Sequence, residues 1–459
     1  MAKLIGNAPN QVPTNADLGE LAYQDRNAVN INGGTIGDST VANVSTVTEK
    51  WSSPIEDYPE IAPSLLLDFA NAKTLDPRIT FTRASTGTYH DKSGRLSYAE
   101  SGEPRFDHDP VTGESKGLLI EEQRTNLFTY SEQFDNAAWS KSNVTISANA
   151  TTAPDGTTTA DKLVEDASTN SHGVVDSITV TLGTRYIVSM YLKQGERRYV
   201  RIQAYHGVGD AQNAIFDLST GSIVSTSDNI GSGIIDVGGG WFRCFVALEN
   251  SSNTYTTISA LLCDDSLTTS YTGDGTSGVY LWGAQLEEGA YPTSYIPTTS
   301  STVTRSADAA SMTGTNFSDW YHQDEGTVYV EAGYIKAVAN KSQLITDISD
   351  GTTANRMYLG KKFNSETLLE AGVNSGNTGQ AFMLVTPTTM DGFKSAVAYS
   401  VDNMAHSVDA STVETDSSAA MPIGVNSLSF VSGSNSIIKK LAYYPKRLTN
   451  TQLQTLTEE

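Results

Sequence analysis

Cysteine is almost absent. Cys244 and Cys263 are the only two in 459 residues, too few for a disulfide scaffold or a four-cysteine zinc site. Positive charge is scarce as well: 30 Lys and Arg stand against 52 Asp and Glu, for a formal net charge of −22. A nucleic-acid duplex or an anionic membrane repels such a surface, so no nucleic-acid partner is expected. No apolar run approaches the length of a membrane span, which argues against membrane insertion. The N-terminus, MAKLIGNAPNQVPTNADLGELAYQD, carries one Lys but no hydrophobic segment or cleavage site, so Sec export is not expected. Catalytic signatures are missing too: there is no G-x-S-x-G elbow, H-E-x-x-H, P-loop or dinucleotide fingerprint after a strand. GVGD near Gly207 and GVNSG near Gly372 read as turns, and the six histidines show no metal-ligand spacing. No enzyme activity is expected.

What remains is a chain rich in Thr, Ser, Asn, Gly and Tyr, punctuated like a β protein. SITVTL, YIVSMYL, YVRIQAY, NAIFDL, WFRCFVAL and GVYLWGAQL follow one another between Ser177 and Leu286. TVYVEAGYI, SQLITDI, RMYLGKK, SAVAYSV, SLSFVSG and SIIKKLAYY run from Thr327 to Tyr444. This spacing suits sandwiches rather than βαβ units. Helical signal is scarce, and its clearest candidate is 449–457, where Asn450 is placed to cap a short terminal turn. The expected fold is all-β: two antiparallel β-sandwich (jelly-roll) modules in series behind a short N-terminal oligomerising β arm. The arm, 1–60, offers Leu21, Tyr23, Val29, Ile31, Ile36 and Val41, too few large side chains for a core unless they pack on another copy or another protein. Pro54, Pro59 and Pro63 stiffen the passage onward. A β-rich connector, 61–125, then precedes sandwiches at 126–300 and 301–459, and YPTSYIPTTSSTVTRS reads as a linker between those two. TRAS (Thr82 to Ser85) and TRSA (Thr304 to Ala307) bracket the central module, which admits the arrangement in which 61–125 completes the C-terminal sandwich around an insert.

Two blocks carry a resemblance. LDFANAKTLDPRITFTRASTGTYHDKSGRLSYAESGEPRFDHDPVTGESKGLLIEEQRTNLFTYSEQFDNAAW (Leu67 to Trp139) and VYLWGAQLEEGAYPTSYIPTTSSTVTRSAD (Val279 to Asp308) resemble segments of tail-fibre and other appendage proteins of tailed bacteriophages. Between them, 126–297 resembles a carbohydrate-binding β-sandwich module. The 325–459 region, closing on IIKKLAYYPKRLTNTQLQTL, is similar to concanavalin-A-like or laminin-G-like jelly rolls. ADLGELAYQDRNAVNINGGTI resembles the N-terminal segments of trimeric phage fibres. The resemblance implies a virion subunit made in the host cytoplasm. It would form a homotrimer, attach by its arm to other virion proteins, and recognise host surface polysaccharide as part of a tail fibre rather than a head fibre. A purely structural decoration, adaptor or collar protein is the alternative, and a capsule depolymerase the third reading.

Candidate residues follow from chemistry. Sugars need aromatic plates ringed by amides, carboxylates and hydroxyls. Tyr191 and Tyr199 to His206 read as two adjacent strands, with Tyr199, Arg201, Gln203 and Tyr205 sharing one polar-aromatic face and Val200, Ile202 and Ala204 turned to the core. An outer sheet packed on a neighbouring subunit would show the same pattern. Trp241 and Trp282 sit in apolar strands and read as core. Glu121-Glu122 and Glu287-Glu288 point to opposite faces of their strands, so neither pair can flank one glycosidic bond, and ion pairs with Arg124 or Arg305 are expected instead. No cofactor is expected; calcium is the ion that Asp107, Asp109 and Glu114 in FDHDPVTGE, and Asp274 in TGDGTSG, would suit, although such turns also serve backbone geometry. Cys244 and Cys263 are placed across adjacent strands as buried free thiols.

Overall fold

The computed structural model describes residues 61–205, 211–227, 231–249, 254–334, 341–431, 433 and 435–458. The arm residues Leu21, Tyr23, Val29, Ile31, Ile36 and Val41 lie outside them, as does GVGD near Gly207. Among the described residues every strand pairing between elements is antiparallel, and no helix is long and apolar enough to cross a membrane. The all-β expectation holds.

The two sandwiches are nested. One sheet runs in the order Glu414–Asp416, Met404–Val408, Phe393–Ser400, Glu325–Tyr334, Ser436–Tyr444, Ser115–Ile120, Arg105–His108, with Leu65–Asp68 also paired to Ser436–Tyr444. Its partner sheet runs Thr80–Thr82, Ala309–Thr313, Ser427–Phe430, Gln343–Ser349, Arg356–Lys361, Leu369–Ser375, Thr378–Val385. Strands from before residue 125 and after residue 303 thus share both sheets and bury one core, in which Leu65, Leu118 and Ile120 meet Val330, Leu428 and Tyr443. The outer face of the first sheet is covered at one end by the helix Asn450–Glu458, which seats Leu453 and Leu456 on Tyr329, Ala398 and Ala442. The cap is Thr449 rather than the expected Asn450. The Thr449 Oγ1 accepts from the Gln452 amide at 3.2 Å while the Gln452 side chain accepts from the Thr449 amide at 2.9 Å, a reciprocal box that Asn450, already inside the helix, cannot make.

The insert has its own two sheets. One is Gly231–Asp236, Trp241–Glu249, Arg185–Gln194, Gly278–Glu288, Ala160–Glu165, Val144–Thr151; the other is Ser222–Ser227, Ala211–Asp217, Tyr199–Tyr205, Tyr255–Cys263, Gly173–Thr179, Ser140–Ser142. The chain enters through Arg124–Asn126 and leaves through Val303–Arg305, and these two short strands pair with each other, Thr125 opposite Thr304.

Three expectations are corrected here. Tyr191 and Tyr199 lie in opposite sheets, because the connection between their strands crosses the end of the sandwich. It is tied by Glu196 to Lys162 (2.8 Å) and Arg197 to Glu165 (2.6 Å), both on the sheet of Tyr191 that the chain is leaving. Cys244 and Cys263 are buried free thiols, but their strands belong to opposite sheets, so they are not cross-strand neighbours. Gly372 is a strand residue opposite Phe382, and the hairpin turn falls later, at Gly376 and Asn377, whose φ of 57° and 62° suit a two-residue primed turn.

Candidate functional site

Leu67–Trp139 and Val279–Asp308 meet at the joint between the sandwiches. Four arginines and four carboxylates collect there: Arg83, Arg105, Arg124 and Arg305 with Glu121, Glu122, Glu287 and Asp308. Arg105 donates to Glu121 at 2.6 Å and to Asp308 at 2.5 Å, and Arg83 donates to Asp308 at 3.1 Å. Arg305 lies 3.5 Å from Glu121, and Arg124 lies 3.5 Å from Glu287, the pairings expected for these acids. The arginines of TRAS and TRSA therefore share one buried cluster. Burial alone would raise the Glu121 carboxyl, but Arg305, Arg105 and the Ser294 hydrogen bonds hold it at about 2.

YPTSYIPTTSSTVTRS is not a linker. Tyr291, Tyr295 and Ile296 are buried, and the irregular backbone around them is satisfied by side chains. Ser294 donates from N and Oγ to Glu121 (2.8 and 2.6 Å), Thr293 does the same to Glu287 (2.8 and 2.6 Å), and Ile296 N donates to Gln285 (2.7 Å). Asn126 bridges the strand Gly278–Glu288 and this segment, donating to the carbonyls of Ala284 (3.0 Å) and Ile296 (2.8 Å). The insert is thus fixed to the other sandwich by buried charge, not hung on a tether.

The expected binding face lies on the outer side of the insert. Val200, Ile202 and Ala204 are in the core, so Tyr199, Arg201, Gln203 and Tyr205 do share the opposite face. Tyr199 is 8% exposed and packs with Ile215 and Cys263 under the Arg198 guanidinium, 4.4 Å from the ring centroid, so its ring is not open to a ligand. Arg201 sits between Ile215 and Leu261, and Gln203 between Asn213 and Ser259. The Arg201 Nε is buried with no hydrogen-bond partner. Tyr205 is 38% exposed, and Tyr255 on the adjacent strand is 49% exposed. Tyr205 pairs with Thr257, so Tyr255 is its diagonal neighbour, about 7–8 Å away. Sequence reasoning missed Tyr255, although Ile258, Ala260 and Leu262 give its strand the same alternation as YVRIQAY. Tyr191 is buried against Trp282 and Tyr295 on the other sheet, and Trp241 and Trp282 are core residues, as expected.

The aspartates among the calcium candidates are engaged by backbone and side-chain donors. Asp107 accepts from the His90 amide (2.8 Å), Asp109 from those of Val111 and Thr112 (3.0 and 2.9 Å), and Asp274 from those of Thr276 and Ser277 (2.8 and 2.7 Å), while the Glu114 carbonyl accepts from the Asp109 amide (2.8 Å). Among the described residues no group of three or more His, Cys, Asp or Glu is placed to hold a metal. Ser395 and His406 form a Ser–His contact of 3.0 Å, but both are fully buried between the sheets and the other His406 nitrogen faces the Met383 carbonyl. A cleft of about 640 Å³ opens beside the terminal helix, and its lining includes two ion pairs, Glu331 with Lys439 and Asp109 with Lys116, each at 3.5 Å.

No protein-family model and no curated protein matches the chain. Among solved structures it is similar to the CBM40 module of a Ruminococcus gnavus IT-sialidase bound to α2,3-sialyllactose, with 11% identity over 30% of this chain and 84% of that one and a TM-score of 0.25. It is similar to mouse laminin α1 domains LG4-5, with 10% identity over 62% of this chain and 89% of that one and a TM-score of 0.20. It is also similar to Trypanosoma rangeli sialidase in complex with the inhibitor DANA, with 8% identity over 65% of this chain and a TM-score of 0.26, and it spans 60% of that protein's length. Likenesses this distant carry no argument about what the chain binds.

Proposed function

We propose that the chain is a subunit of a tailed-phage fibre or spike whose inserted sandwich holds host surface glycan on the face of Arg201, Gln203, Tyr205 and Tyr255. The observation that carries this reading is the unpartnered Arg201 Nε, on the same outward sheet face as the exposed Tyr205 and Tyr255. A buried donor without an acceptor is costly unless a ligand supplies one, and the tyrosines offer ring faces for a sugar. The resemblance of Leu67–Trp139 and Val279–Asp308 to appendage segments supplies the virion context. The ion-paired joint suits that role, since a fibre must keep its binding face in a fixed orientation under load. A shallow site of this kind binds one glycan weakly, and trimerisation through 1–60 would raise avidity. The reading is of a binder, because Glu121 and Glu287 are spent in the buried joint.

The test is a glycan array probed with the full chain and with Arg201→Ala and Tyr205→Ala. At least a tenfold loss of signal in each variant, with an unchanged unfolding midpoint, is the expected result. An array blank for the full chain would favour the structural decoration protein. Light scattering checks the assembly: a full-length trimer that falls to monomer without residues 1–60 is expected, and a monomer in both cases would remove the fibre.

A further inference from the structure

The outward face of the seven-stranded sheet holds a second constellation, independent of Arg201. Asp347, Tyr358, Gly372 and Phe382 form one row across four neighbouring strands, each about 4.8 Å from the next. A Cβ on Gly372 would lie 2.2 Å from Tyr358 Cζ, and one on Gly379 would lie 2.3 Å from Phe382 Cζ. The two glycines therefore let two aromatic rings lie flat on the sheet. Tyr358 is locked by its hydroxyl, which donates to Glu370 at 2.6 Å, and the Arg356 guanidinium sits 4.5 Å from its centroid. Phe382 is left 54% exposed. Beside these plates, Asp347 and Arg356 approach only to 3.9 Å, beyond a hydrogen bond. The Asp347 Oδ1 and the Arg356 Nε are both buried without partners. An acid and a guanidinium this close ordinarily close the gap with short, charge-assisted bonds. Here the two are held apart as diagonal neighbours on adjacent strands of one outward face, each with an unmet hydrogen-bonding atom. Burial, with Asp350 adding to it against Arg356, raises the Asp347 carboxyl to about 6.

We propose that this face binds a neutral hexose-based glycan chain. One sugar ring stacks on Phe382, and a unit further along the chain donates one hydroxyl to Asp347 and accepts from Arg356 at the next. Asp347, Asp350 and Glu370 outnumber Arg356, so a uronic or sialic acid would meet repulsion. Two faces on two rigidly joined sandwiches would let a single subunit grip a polysaccharide at two points.

The experiment is affinity electrophoresis of the full chain through gels containing dextran, mannan, galactomannan or hyaluronate. The same gels carry Phe382→Ala, Asp347→Asn and the double variant Arg201→Ala/Tyr205→Ala. Phe382 is exposed and Asp347→Asn is isosteric, so both should keep the parental unfolding midpoint. Retardation in at least one neutral gel is expected, weakened at least tenfold by Phe382→Ala and by Asp347→Asn and kept by the double variant. Retardation in hyaluronate alone, in no gel, or undiminished in both single variants would overturn the proposal. Loss only in the double variant would overturn it while leaving the Arg201 reading intact, and an array signal lost with Arg201→Ala and Tyr205→Ala supports that reading whatever the gels show.

Discussion

Glu121→Gln is the sharpest test of the joint. The substitution keeps the shape of the side chain and an acceptor for Ser294, but it removes the charge that faces Arg105 and Arg305. The size of the effect can be worked two ways. The Glu121 carboxyl is held at about 2 against an ordinary 4.5, a depression worth about 3 kcal/mol above pH 4.5 at 1.36 kcal/mol per unit. Breaking a fully buried pair by removing one partner costs about 3–5 kcal/mol, because the abandoned guanidiniums keep their desolvation. The two figures agree, so a loss of about 3–5 kcal/mol is expected at pH 7. Urea unfolding followed by tryptophan fluorescence and far-ultraviolet circular dichroism measures it, urea being preferred because guanidinium salt would screen the charges.

The pH dependence separates charge from packing. A depressed carboxyl contributes stability that is complete above its unfolded value and lost as pH falls through its folded value, so the window runs from about 4.5 down to about 2. The gap between parent and Glu121→Gln should therefore narrow across that window. Trp139, Trp241 and Trp282 report on the insert and Trp320 on the other sandwich, so a weakened joint should also split one unfolding transition into two. A cost under about 1 kcal/mol, or a gap that stays constant as the pH is lowered, would refute the claim that buried charge couples the sandwiches.

Burial holds His406 down at about 4 against an ordinary 6.5, so it is neutral when folded and takes a proton on unfolding below 6.5. Stability should fall by up to about 3 kcal/mol between pH 6.5 and pH 4, above the Glu121 window, and a His406→Gln variant should lose that slope in the same urea assay. Burial also raises both thiols, Cys263 to about 11 and Cys244 well above its usual value, so neither should react with a disulfide reagent at pH 8 until denaturant is added. Thr449→Ala should cost about 1 kcal/mol by opening the cap of the terminal helix, read as a lower urea midpoint.

Alternation was legible in the sequence because it is local. YVRIQAY reports its own two faces wherever its strand is placed, and Val200, Ile202 and Ala204 went where period two sends them. Sheet membership was not legible, because a short polar connection serves a hairpin or a crossing equally well. Here Glu196 and Arg197 stay paired with Lys162 and Glu165 of the sheet they leave, and the next strand pairs in the other sheet. The joint was hidden by distance, since Arg83 and Asp308 are 225 residues apart and Glu121 and Asp308 are 187 apart. Composition misled at YPTSYIPTTSS for a physical reason. Thr and Ser read as surface residues, yet Thr293 and Ser294 are the donors that let Glu287 and Glu121 be buried as charges. The second face was obscured in the same way, because Gly372 reads as a turn when the strand needs it bare so that Tyr358 can lie flat. A glycine between alternating residues on an outward strand is therefore better read as room for a neighbouring ring, and this one points straight at the row from Asp347 to Phe382.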